Sequence, residues 1–64
     1  MAATDHEVTE AMLTYGGSFV QALARAYRAA DNRNRAKLFV AFEPLFTEYA
    51  ELHELKARQV AESR

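Results

Sequence analysis

An apolar phase runs unbroken through the single proline of this chain, and it constrains the fold more than any other feature. Leu38, Phe42, Leu45, Tyr49 and Leu52 follow one another at alternating spacings of four and three, with Pro44 among them. That spacing is the seam of a helix packed along one side, and Phe39 and Phe46 widen it. Inside a helix Pro44 would remove one hydrogen bond and clash with the carbonyl of Val40, at a cost of about 3 kcal/mol. As the first residue of a helix it costs little. A chain reversal would need no shared phase on its two sides. The spacing therefore predicts a break at Phe42-Glu43 and a long last helix from Pro44 to about residue 61. The two pieces should be kinked or restarted, and not folded back on one another.

Three further elements precede it. Thr4 and Glu7 have capping-box spacing, and Val8, Ala11, Met12 and Tyr15 then fall at i, i+3, i+4 and i+7. This predicts a short first helix over about 5–14, which must dock to persist because three turns are marginal alone. Gly16-Gly17 ends it by the left-handed conformation glycine tolerates. Ser18 and Gln21 repeat the capping-box spacing, and Phe19, Leu23, Ala26, Tyr27 and Ala30 mark one face of a second helix over 18–30. Asp31 or Asn32 then caps a third helix over about 33–42.

The fold class is all-α: one domain over residues 1–64, a small bundle of three to four helices, with 1–4 and 62–64 frayed. Its expected core is Phe19, Leu23, Tyr27, Leu38, Phe42, Leu45, Tyr49 and Leu52. A chain of 64 residues without cysteine has neither disulfide staple nor thiolate metal site. Self-association is the remaining route to more burial, so the bundle is expected to be completed by dimerisation. Tyr15, Phe39, Phe46, Tyr49, Leu52 and Leu55 are the expected interface, because one short hairpin cannot bury that many large side chains. No stretch has the pattern of a signal peptide or the length of a membrane span. The expectation is a cytoplasmic protein with no membrane partner.

Charge is nearly balanced, at −1, but sorted along the chain. Asp5, Glu7 and Glu10 lie in the first segment. Arg25, Arg28, Arg33, Arg35 and Lys37 face only Asp31 in the next. Glu43, Glu48, Glu51 and Glu54 follow with no Lys or Arg among them. The sorting predicts basic and acidic segments facing each other across a hairpin or dimer seam. The basic segment 25–37 is also the one possible nucleic-acid contact. Two helices joined at Asp31-Asn32 invite a helix-turn-helix reading, but residues 38–42 of the would-be recognition helix are too apolar for a groove.

No constellation carries chemistry. His6 and Glu10 sit one turn apart, and two ligands do not make a metal site. His53 has no carboxylate at i±3 or i±4 to orient it. The glutamates of the last helix lack the Glu-x-x-His spacing of helical metal proteins, since His53 follows Glu51 by two residues. Gly16-Gly17-Ser18 lacks the lysine of a phosphate loop. No catalytic, cofactor-binding or metal residues are assigned.

The run from Tyr15 to Tyr49 resembles short uncharacterised helical proteins of proteobacterial phages and prophages. The resemblance rests on Tyr15-Gly16-Gly17-Ser18-Phe19, Ala30-Asp31 and Ala41-Phe42 before Pro44. In such proteins the proline often follows the phenylalanine directly, whereas here Glu43 intervenes. The resemblance implies a mobile-element setting and brings no activity with it. The functional expectation is a small non-enzymatic protein-interaction module, a homodimer, encoded by a phage or prophage to modulate another protein. The alternative is a small DNA-associated regulator using residues 25–37.

Overall fold

The computed structural model describes residues 3–62. Within them the chain forms four helices, α1 (Asp5–Tyr15), α2 (Ser18–Ala29), α3 (Asn32–Ala41) and α4 (Glu43–Glu62). The all-α bundle is as the periodicity predicts. No strand occurs among the described residues.

The start of α1 follows the capping-box reading. The Glu7 N–H donates to Thr4 Oγ1 at 3.2 Å, and the Thr4 N–H donates to Glu7 Oε1 at 2.9 Å. Ala3 packs against the core and Thr4 is the N-cap, so the expected fraying of residues 3 and 4 is not what the structure shows. Helix α4 likewise continues through Glu62. The remaining residues expected to fray, 1, 2, 63 and 64, lie outside the described residues.

The glycine break after α1 works by space and not by handedness. Gly16 and Gly17 are both extended, with φ of −82° and −78°, and no glycine has positive φ. A Cβ on Gly16 would overlap the Val20 side chain and lie 2.5 Å from the Met12 carbonyl oxygen. Only glycine lets the chain turn this closely over α2. The second capping box does not form. Ser18 is already inside the first turn of α2, Gly17 is the N-cap, and Gln21 Nε2 donates back to the Gly16 carbonyl at 2.9 Å. Asp31 caps α3, its Oδ1 accepting from the Asn34 N–H at 2.8 Å.

Helix α1 is the centre of the bundle and packs along both α2 and α4. Val8, Ala11 and Met12 of α1 meet Leu23, Ala24 and Tyr27 of α2 and Phe46 of α4 in one buried core. The expected core is corrected in two ways. Phe19 is 61% exposed, because the buried face of α2 is Val20-Leu23-Ala24-Tyr27, where the small Ala24 admits a close neighbour. Leu38, Phe42, Leu45 and Tyr49 pack at the edge of the core, and Leu52 is half-buried. Phe46 is a correction to the expected interface: at 4% exposure it is a core residue of this chain.

Helix α3 stands apart, approaching α2 and α4 but not α1, and none of its residues is buried. A single residue, Phe42 (φ −123°, ψ 27°), separates it from α4. The Phe42 N–H still donates to Leu38 at 2.9 Å, and the Phe46 N–H donates to the Phe42 carbonyl at 3.1 Å. Hydrogen bonding of helical span thus flanks the break on both sides. As one straight helix, residues 32–62 would span roughly 45 Å, more than the molecule's 40 Å length. The chain bends here, and α4 restarts with Pro44 in its first turn, where the missing N–H would have had no partner.

Candidate functional site

A recess of about 420 Å³ lies where α3 stands away from α1. Asp5, Val8 and Thr9, at i, i+3 and i+4 of α1, form one wall. Thr47, Ala50, Glu51 and Glu54, at i, i+3, i+4 and i+7 of α4, form the other. Tyr27, Phe46 and Phe39 supply the aromatic surface between them. The Tyr27 and Phe46 rings lie 4.9 Å apart and tilted by 49°, while Phe39 and Phe46 are stacked at 5.9 Å. Phe39 remains 41% exposed.

The charged side chains that line this groove are the carboxylates Asp5, Glu51 and Glu54, with the Arg35 guanidinium beside it, 5.9 Å from the Tyr27 ring centre. Tyr27 Oη donates to Asp5 Oδ2 at 3.2 Å. Burial, with the Asp5 carboxylate second, pushes the Tyr27 phenol above its ordinary value, so it stays a neutral donor. An apolar trough rimmed by carboxylates binds a group that is apolar with positive charge beside it.

Of the residues expected at an interface, Phe39 and Phe46 meet at this groove, Phe46 as its buried floor. Tyr49 and Leu52 are half-buried along α4, and Leu55 is exposed. Tyr15 is half exposed and lies elsewhere, in a shallow hollow with His53, with Lys56 Nζ 5.4 Å from its ring centre. Spacing set the glutamates of α4 aside as metal ligands and assigned them no site. Their phase with Thr47 and Ala50, one step from Phe46, was the signal that Glu51 and Glu54 border a groove.

The basic segment is divided between structural and exposed roles. Arg28 reaches back to α1: its Nε donates to Thr9 Oγ1 at 2.8 Å, and its guanidinium pairs with Glu10 at 3.0 Å. This is the expected facing of acidic and basic segments across a hairpin. Arg35 closes the end of α2, donating to the Tyr27 carbonyl at 3.1 Å and the Arg28 carbonyl at 3.3 Å. Arg25, Arg33 and Lys37 are exposed. With Arg28 and Arg35 occupied, the five cations do not form one free surface for a phosphate backbone.

His53 does have an orienting carboxylate, which local spacing could not reveal because it comes from α1. Its Nε2 lies 3.2 Å from Glu7 Oε2. Glu7 is held below the usual carboxylate range, first by the Thr4 backbone N–H and hydroxyl, and then by His53. Glu10, placed beside His6 by the sequence, turns to Arg28 instead. Among the described residues no group of three or more His, Cys, Asp or Glu side chains is placed to hold a metal ion. No described helix is long and apolar enough to cross a membrane.

The chain matches no protein-family model, no curated protein and no solved structure.

Proposed function

We propose that this protein is a small, non-enzymatic protein-interaction module of the cytoplasm that self-associates as a homodimer and modulates another protein. The groove between α1, α3 and α4 carries the reading: three aromatic rings and a carboxylate rim present a recognition surface. Tyr15, Phe19 and Leu55 are further exposed apolar side chains available to the modulated protein. The mobile-element setting is supported by the phage-protein resemblance of residues 15–49. The DNA-regulator alternative loses ground because Arg28 and Arg35 are engaged within the bundle.

Light scattering across a micromolar to millimolar series tests the dimer. The expected mass is twice 7.2 kDa, or 14.4 kDa; a constant 7.2 kDa at the highest concentration would contradict it.

A further inference from the structure

Helix α3 is the least buried element of the bundle, and its outer face is patterned. Arg33, Ala36, Lys37 and Val40 fall at i, i+3, i+4 and i+7, one stripe, and all four are exposed. Val40 is the extreme case at 78%. A large apolar side chain thus ends a basic stripe on the open face of α3. The groove beside α3 has the complementary character, with an apolar floor and Asp5, Glu51 and Glu54 on its rim.

We propose that the groove receives α3 of a second copy of this chain, and that two copies exchange these helices reciprocally. The inference rests on the homodimer reading above and names its surfaces. Val40 is the apolar anchor over Phe39 and Phe46, and Arg33 and Lys37 meet the carboxylates of α4, a helix-in-groove arrangement. Symmetry favours the exchange. Because Phe39 of α3 lines its own groove, the inserting helix and the receiving groove are adjacent on each copy. A two-fold axis then satisfies both contacts at once, the isologous closure typical of small homodimers. No stripe is left over to propagate a fibre.

The test uses two charge-reversed full chains, Arg33→Glu with Lys37→Glu, and Glu51→Lys with Glu54→Lys. Helicity by circular dichroism verifies that each is folded. Alone, each variant sets like charges against each other and should dimerise at least about tenfold more weakly than the original chain. Mixed, they should form a heterodimer within about threefold of the original affinity, read by native mass spectrometry. A third variant, Val40→Glu, should weaken the dimer at low and high salt alike. If the original chain dimerises and all three variants match it, α3 exchange is overturned while self-association stands. If the original chain stays monomeric, both readings fall. A mixture that remains as weak as its parts also overturns the exchange.

Discussion

Arg28 donates from Nε to the hydroxyl of Thr9 at 2.8 Å, and that hydroxyl is 1% exposed. Thr9 in turn donates to the Asp5 carbonyl at 2.9 Å, so one buried oxygen links α2 to the first turn of α1. The ion pair of Arg28 with Glu10 lies at the surface and contributes little. Arg28→Ala is therefore expected to act through the lost charge-assisted bond that this hydroxyl accepts, destabilising by about 1.5–3 kcal/mol. Glu10→Gln should cost under about 0.5 kcal/mol. Urea denaturation of both variants checks this; equal losses would show that the surface pair, and not Thr9, dominates.

Acid should loosen the N-terminal cap of α1 first, and its contact with His53 of α4 second, through Glu7. Its folded pKa is lowered from 4.5, so its contribution is complete above about that pH and is lost as pH falls through the lowered value. Glu7→Gln keeps a neutral capping side chain but no charge. The variant should be the less stable at neutral pH, and the two proteins should converge as pH falls through the lowered Glu7 value. Denaturation midpoints that differ by the same amount at both ends of this range would contradict the assignment.

The paired glycines should respond oppositely to added bulk. Gly16→Ala forces a Cβ against the Met12 carbonyl and Val20, with an expected loss of about 1–3 kcal/mol. At Gly17 nothing lies within 4 Å of an added Cβ. Gly17→Ser even offers the N-cap oxygen that α2 lacks, and should be neutral or stabilising by a few tenths of a kcal/mol. Thermal melts of the two variants check the contrast.

What was legible in the sequence follows from which signals are local. The Thr4–Glu7 and Asp31 caps are each decided within four residues: the first is found where spacing put it, and Asp31 takes the cap that the sequence leaves open between Asp31 and Asn32. The last helix restarts at Glu43, one residue before the expected Pro44. The core was harder. Phe19 and Val20 offer competing faces on α2 that share Leu23 and Tyr27, and only the approach of α1 onto Ala24 selects the second. Phe46 was expected at an interface because one short hairpin cannot bury so many large side chains, whereas the packing of α4 along α1 brings it into the core. The Glu7–His53 contact joins residues 46 apart in the chain, which no local pattern encodes. The groove is legible only in part: its α4 wall has helical phase, but its depth depends on α3 standing off from α1.

Pro44 should be nearly silent. It is exposed, in the first turn of α4, and Pro44→Ala removes only the restraint that proline places on the unfolded chain. The expected change in stability is under about 1 kcal/mol. A larger loss, measured by urea denaturation, would mean that the proline fixes the bend at Phe42.

The central claim, that α3 of one copy occupies the groove of another, is tested most directly by a spin label. The chain has no cysteine, so Asn34→Cys gives a single attachment point on α3 beside the stripe. Spin-labelled, isotopically unlabelled chains are mixed with ¹⁵N-labelled chains that carry no spin label, and amide broadening in the latter is recorded. The account predicts broadening at Thr47, Ala50, Glu51 and Glu54 that grows with concentration. Broadening confined to other surfaces, or none at millimolar concentration, would contradict it.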